Sequence, residues 1–468
     1  MGSEKGLEVS LTFLGATGTV TGSKTLLSVN RKKYLVDCGI YQGPKEIRNL
    51  NREPFPGGAS EIDAVILTHA HIDHSGYLPC LVRDGFHGPV YCSQATADLC
   101  EVMLMDAAWL QEEDAAFADR SRHSRHYPAK PLFTRVDAQK ALEHLKPLGD
   151  DQWIALDEQV SLNFRRSGHI LGSRFASFSI SDQYKKVSLT FSGDLGNGRS
   201  EMIKGPVSVT DSEYLILEST YGDRIHDDEN PSESLQAALT KTYERGGVVV
   251  IPAFSVGRTQ ELLYLIGSLK KKGLIPPMPV YLDSPMSNRV TEIYRRFPDE
   301  LRLHISDSKA SVILPEFNDY HTVQSADDSM LLCMQDGPFV VISAAGMLTG
   351  GRVLHHLKRR LPDEKNMVIF CGYQAAETKG RLLQEGLSSL RIHHQEVPVN
   401  AEIFQMESMS AHADQNELVG WMNHFKNLKT VFLNHGEPAQ IEGLRQRIVK
   451  EKGKIVEVPQ MNQKIKIL

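Results

Sequence analysis

Residues 63–76 read Asp-Ala-Val-Ile-Leu-Thr-His-Ala-His-Ile-Asp-His-Ser-Gly. The first five positions are a short apolar run, which predicts a buried strand over 63–67. Four metal-capable side chains follow within six residues: His69, His71, Asp73 and His74. A strand that ends in clustered histidine and aspartate delivers those side chains to a sheet edge, where a loop can fold them around an ion. Neutral imidazole and carboxylate are ligand types that zinc accepts in catalytic sites. The spacing also separates into two pairs, His69 with His71 and Asp73 with His74, one for each of two ions. The competing reading is a polar loop with solvated histidines. That reading suits one histidine, but not four ligand types in this spacing.

Working outward, the same local context recurs. Asp37 follows Tyr34-Leu35-Val36, His169 lies in Ser-Gly-His-Ile-Leu-Gly-Ser, and Asp194 closes Phe-Ser-Gly-Asp. Glu218 ends Tyr-Leu-Ile-Leu, His412 lies in Ser-Ala-His-Ala-Asp, and His435 follows Val-Phe-Leu-Asn. Taken singly, each has an ordinary explanation: a turn aspartate, a surface carboxylate, a hydrogen-bonded core histidine. Beside the 69–74 cluster, strand-end ligands that can converge on one rim become the better account.

At 468 residues the chain should form two or three domains. Its 41% hydrophobic and 24% charged residues are those of a soluble globular protein. A net charge of −6 excludes a generally basic nucleic-acid coat but leaves room for a local positive cleft. Nothing approaches the ~20 apolar residues of a membrane span, and no signal pattern opens the chain. The six cysteines form no Cys-x-x-Cys pair and read as small buried hydrophobes in a reducing, cytoplasmic setting. Strands dominate 7–37 and 160–217, with a helix over 95–118 and an exposed basic loop over 119–131. From 232 onward strands alternate with helices, which implies a parallel sheet with covering helices. Residues 304–337 read as irregular.

Taken together, these residues resemble the metallo-β-lactamase superfamily and, within it, the β-CASP nucleases, over nearly the whole chain. The resemblance implies an α/β (α+β) protein: an αββα sandwich built from 1–220 and 396–468, with an inserted α/β cap over 221–395 and the active site in the cleft where they meet. It implies two zinc ions. His69, His71 and His169 would bind one, Asp73 and His74 the other, and Asp194 would bridge. Asp37 would support a ligand by hydrogen bonding. Glu218, His412 and His435 match three further β-CASP elements; His435 would complete the second zinc site. A histidine there marks RNA-acting members, where DNA-acting ones typically carry valine.

The implied activity is a zinc-dependent ribonuclease, resembling bacterial relatives of the endonuclease of mRNA 3′-end processing. A hydroxide held between the metals and aimed by Asp73 would attack phosphorus, and His412, oriented by Glu218, would be the general acid. In the cap, Ser343, Gly346 and Met347, and Ser255 with Arg258, stand at strand-to-helix turns suited to phosphate contact. Single-stranded RNA is the expected partner, with no membrane and with a homodimer allowed. A small-molecule hydrolase of the same fold is the alternative, disfavoured by Glu218, His412 and His435. So is a non-catalytic RNA-processing subunit, since every ligand position is filled. Endonuclease and 5′-exonuclease action are not separated by these residues.

Overall fold

Alternating apolar residues build two seven-stranded sheets. The first runs in the order Lys464–Lys466, Val9–Phe13, Thr25–Val29, Lys32–Val36, Ala64–Ile66, Val90–Cys92, Leu145–Pro147. The second runs Ile455–Glu457, Thr430–Leu433, Tyr214–Leu217, Lys186–Phe191, Arg174–Ser181, Val160–Arg166, Ile154–Ala155. Side chains two apart share a face. Leu11, Phe13, Val36 and Ile66 of the first sheet therefore meet Leu162, Phe178, Ile216 and Phe432 of the second in one buried cluster. The Phe13 and Phe432 ring centroids are 5.8 Å apart across it. The opposite face of the second sheet, with Leu215, Leu217, Val431 and Leu433, is covered by Leu418 and Trp421 of helix Gln415–Met422 and by Ile441 and Leu444 of helix Pro438–Lys452. The first sheet is flanked by the 27-residue helix Gln94–Arg120. The expected helix-flanked pair of sheets is present.

The computed structural model describes residues 6–120, 129–209, 211–226, 229–302, 319–372, 374, 378–406 and 409–468. Of the basic stretch 119–131, residues 121–128, including Arg122, His123, Arg125 and His126, lie outside the described residues. The paired sheets belong to one compact unit, which runs through Gly198 and includes Gly205–Ile225 and His412–Leu468. Among the described residues, no helix is long and apolar enough to cross a membrane.

The second unit comprises Arg199–Lys204 and His226–Ala411. Its six-stranded sheet is wholly parallel, in the order His321–Thr322, Val280–Asp283, Phe339–Ser343, Val248–Pro252, Met367–Cys371, Glu402–Met406. Strands buried on both faces explain the continuous apolar runs Val-Val-Val-Ile-Pro and Phe-Val-Val-Ile-Ser. Glu402–Met406 pairs with Met367–Cys371, and the first compact unit resumes at His412. The stretch read as irregular contains helix Ala326–Met334, opened by a capping box between Ser325 and Asp328; residues 303–318 within that stretch lie outside the described residues. From strand Val248–Pro252 the chain passes through helix Arg258–Lys271 to Val280–Asp283. From its neighbour Phe339–Ser343 it passes through Val353–Arg360 to Met367–Cys371, on the other side. Connections that leave adjacent parallel strands in opposite directions open a crevice at the strands' carboxyl ends.

Candidate metal centre

The 69–74 cluster is held by backbone pairing at the rim of the first sheet. Strand Ala64–Ile66 carries the chain to Thr68 and His69, and a short helix, Ile72–Ser75, then turns Asp73 and His74 inward, with His71 at its N-cap. Ser23 N–H donates to the Asp73 carbonyl at 2.8 Å and Cys38 N–H to that of His74 at 2.6 Å. Gly39 makes this approach feasible: a Cβ there would lie 1.5 Å from the Asp73 carbonyl oxygen. Asp37 and His435 both adopt left-handed backbone, φ 60° and 53°. Non-glycine residues seldom do so without a surrounding structure that imposes it, and such positions gather at functional sites.

Two donor groups result. In the first, His71 Nδ1 lies 3.1 Å from His69 Nε2 and 3.2 Å from His169 Nε2. Asp194 Oδ2 is 3.5 Å from both Nε2 atoms. In the second, His74 Nε2 and His435 Nε2 are 3.1 Å apart, and Asp73 Oδ2 is 4.0 and 3.6 Å from them. Neighbouring donors around a tetrahedral zinc with bonds of about 2.0–2.1 Å stand about 3.3 Å apart, so both sets have the right size. Asp194 Oδ1 turns to the second group, 3.2 Å from His74 Nε2, and is buried without a hydrogen-bond partner among the described residues. A buried carboxylate oxygen that accepts no well-formed hydrogen bond is costly unless a cation lies beside it. The donor sets therefore fit divalent ions, with Asp194 Oδ2 in the first group and Asp194 Oδ1 against His74 of the second.

The electrostatics of the first group agree. Burial lowers the pKa of His69 and His169 well below the ordinary histidine value and lowers that of His71. These rings are neutral at pH 7, the form that binds metal. Burial acts to raise Asp194, but His435, His74 and His69 outweigh it and hold this carboxyl well below its usual range. His74 is pushed down by burial, yet raised overall by Asp194 and Asp37.

Asp37, 3% exposed, is the orienting group. Its Oδ2 accepts from His74 Nδ1 at 2.7 Å, and its Oδ1 accepts from Thr68 N–H at 2.9 Å and from the Thr68 hydroxyl at 3.0 Å. Thr68 Oγ1 is in turn 3.1 Å from His69 Nδ1. With its proton given to Asp37, that oxygen accepts from Nδ1–H and leaves His69 Nε2 free. Asp37 thus sets the tautomer of His74 directly and of His69 through Thr68.

A third set, Asp194, Glu218 and His412, is also close enough to hold an ion. Its chemistry differs. His412 Nδ1 is 3.1 Å from Glu218 Oε2, and Glu218 is fixed by Leu195 N–H at 2.6 Å. Burial acts to lower the His412 pKa, but Glu218 and Asp194 outweigh it and raise it to about 9. A ring held protonated suits proton donation, and its Nε2 lies 3.9 Å from Asp194 Oδ2.

The cap candidates gather in the second unit at the crevice. A Cβ on Gly346 would lie 3.0 Å from Phe254 N, so the two loops touch. Two candidates are committed elsewhere. The Ser343 hydroxyl donates to the Asp283 carbonyl at 3.0 Å, and Arg258 pairs with Glu261 at 2.7 Å. Nor does helix Arg258–Lys271 offer a row of free N–H groups: those of Gly257, Arg258 and Thr259 go to Gln260 Oε1, Val256 O and Phe254 O. Ser255 Oγ is buried without a partner among the described residues, and Met347 is half-buried. The hydroxyls of Thr68 and Thr220 also face the site, at His69 and His435; in the sequence only their places beside His69 and two residues after Glu218 signal this.

Comparison with known proteins follows the same lines. Residues 18–240 match the metallo-beta-lactamase superfamily, 259–383 the Beta-Casp domain, and 396–459 the Zn-dependent metallo-hydrolase RNA specificity domain. The chain is 37% identical over 436 residues to Ribonuclease TTHA0252 of Thermus thermophilus, covering 92% of this chain and 94% of that protein. It is 30% identical to the transcription termination factor FttA of Methanocaldococcus jannaschii (92% and 67%), and 29% identical to an RNase J-like protein of the same organism (92% and 93%). A crystal structure of a protein of unknown function from Enterococcus faecalis V583 shares the fold, with TM-score 0.57 at 14% identity, over 98% of this chain and 100% of that one.

Proposed function

Because the chain belongs to the β-CASP branch of the metallo-β-lactamase superfamily, we propose that it is a metal-dependent ribonuclease that hydrolyses RNA phosphodiester bonds. The observation that carries the reading is Asp194, offering one oxygen to each of two donor groups beside a histidine held protonated by Glu218. Two zinc ions are proposed, one held by His69, His71 and His169, the other by Asp73, His74 and His435, with Asp194 shared. Zinc so placed lowers the pKa of a coordinated water toward about 7 and neutralises charge that develops on a phosphoryl oxygen.

The chain's own residues supply the rest. Asp73, at the rim of the second group, can also accept a hydrogen bond that aligns the attacking water. His412 gives its Nε2 proton to the departing oxygen, while Nδ1–H stays with Glu218 and stabilises the charged ring before transfer. Ser255, Gly346 and Met347 are the proposed RNA contacts in the second unit, with Ser343 and Arg258 holding the crevice in shape. RNA is favoured over a small molecule by the matched RNA specificity domain and by the name of the Thermus relative. Single-stranded RNA in a cytoplasmic setting belongs to the same proposal, and six free, buried cysteines suit a reducing compartment.

The test is incubation of zinc-loaded protein with single-stranded RNAs labelled at either end. Cleavage that disappears in Asp73→Ala with the fold intact supports the reading. A panel of varied RNAs left uncut by fully metallated protein overturns it. Products labelled at each end also separate internal cutting from 5′ degradation.

A further inference from the structure

Thr220 lies two residues beyond Glu218 and against the ring of His435. Its Oγ1 is 3.2 Å from His435 Nδ1 and 3.3 Å from the His435 carbonyl oxygen. The hydroxyl has one proton to give, and the carbonyl can only accept. If Oγ1 donates to the carbonyl, it accepts from Nδ1–H, and Nε2 keeps its lone pair. The opposite polarity puts the ring proton on Nε2, which faces His74 Nε2 at 3.1 Å and Asp73 Oδ2 at 3.6 Å. Only the first polarity leaves His435 able to bind an ion beside His74.

The surrounding backbone leaves this choice to the groups at Nδ1: Thr220 Oγ1 at 3.2 Å, within hydrogen-bond reach, and Asp194 Oδ1 farther off at 3.6 Å. The His435 N–H donates to Ala16 O at 2.8 Å, and its carbonyl accepts from Ser219 N–H at 3.0 Å. Gly436 lets the two segments meet, since a Cβ there would lie 2.8 Å from the Ser219 carbonyl oxygen and Cβ. The main chain of His435 is therefore pinned, and its ring is keyed by the threonine. Thr68 does the same for His69 with Asp37 as its acceptor.

We propose that Thr220 is a positioning residue that sets the His435 tautomer and so governs ion binding at the second group. The inference rests on the reading of His74 and His435 as ligands. Because Thr220 also places its N–H 3.4 Å from Glu218 Oε2, one three-residue segment serves both the proton donor and the second ion.

The experiment compares wild type, Thr220→Val, Thr220→Ser and His435→Ala by stepwise zinc titration against a chromophoric chelator, with thermal melting of the metal-free proteins as a folding control. Wild type should take two equivalents and His435→Ala one. Thr220→Val should keep the first equivalent and bind the second about 10- to 100-fold more weakly, the range for loss of an outer hydrogen-bond partner. Thr220→Ser, which keeps the hydroxyl, should stay near wild type. Two wild-type affinities in Thr220→Val overturn the inference while leaving the ligand assignment in place, as does equal weakening of both steps. A wild type that takes only one equivalent overturns both.

Discussion

Replacing Asp37 by asparagine changes one oxygen to an amino group and almost nothing else. Asparagine tolerates the left-handed backbone that Asp37 adopts, φ 60°, so the turn should survive. One side-chain oxygen can still accept from Thr68 N–H and the Thr68 hydroxyl, as Oδ1 does now at 2.9 and 3.0 Å. The new NH2 takes the place of Oδ2 and meets His74 Nδ1, 2.7 Å away in the native site. Two donors cannot face each other, so the His74 proton moves to Nε2. That atom points at His435 Nε2 and Asp194 Oδ1, 3.1 and 3.2 Å away, and can no longer take an ion. A hydrogen bond to a charged group is worth about 1.5–3 kcal/mol, so zinc at the second group should weaken about 10- to 150-fold. The first group should be affected less, because Thr68 still has its acceptor. Asp37→Ala removes that acceptor too and should weaken both. Stepwise zinc affinities measured by chelator competition give the answer. An Asp37→Asn protein with two wild-type affinities, or one that loses the first ion and keeps the second, refutes the tautomer argument.

Four other outcomes are expected. His412→Ala should lower single-turnover RNA cleavage about 10²- to 10⁴-fold, the usual share of a general acid, with both zinc equivalents retained on metal analysis. Glu218→Gln removes the carboxylate that raises the His412 pKa, so the alkaline limb of its pH–rate profile should move to lower pH. Lys24 is buried with Nζ 4.4 and 4.8 Å from the ring centroids of Tyr41 and Tyr77, and burial lowers its pKa from 10.5 to about 8. A lysine depressed in the folded state destabilises it fully below the folded pKa and releases that cost as pH rises toward the unfolded value. Wild-type stability relative to Lys24→Met should therefore rise by about 3 kcal/mol between pH 7 and 10.5; urea unfolding that gives the same difference at both ends contradicts this. In the second unit, Asp283 binds Arg352 Nη1 and His356 Nε2, each at 2.8 Å, and the Ser329 hydroxyl at 2.6 Å. Asp283→Ala strands the buried His356 and Ser329 and frees the half-buried Arg352, and should cost about 3–5 kcal/mol, seen as a lower melting temperature that added zinc does not restore.

Much of the architecture was legible because local periodicity encodes it. The apolar run before His69 is a strand, Ala64–Ile66, and the run ending at Leu217 is another. The strand–helix alternation after 232 is a parallel sheet. Helix Pro285–Arg296 was not foreseen, although Ser284 caps it and Pro285 opens it, signals that a short stretch between two prolines at 285 and 298 obscured. The place of Glu402–Met406 was also illegible. An apolar-leaning strand of five residues suits either unit, and only its pairing with Met367–Cys371 assigns it. The positions of Ser343 and Arg258 after strands suggest phosphate contacts. Nothing local announces that Asp283 and Glu261 would engage them first.

By itself the sequence determined the chemical inventory: which ligand types exist, their order, and their delivery to strand ends. These follow from short-range spacing. What only the tertiary structure decided is which atom of each residue faces the site. His71 presents Nδ1 where His69 and His169 present Nε2, Asp194 divides its two oxygens between two groups, and threonine hydroxyls lie against ring nitrogens of His69 and His435. The reason is that a ring's rotation and tautomer are set by partners remote in the chain: Asp37 lies 37 residues from His74, and His435 lies 361 residues from it. Folding brings those partners within 3.1 Å, and the pattern of donors and acceptors then fixes the ring orientation of His69, His74 and His435.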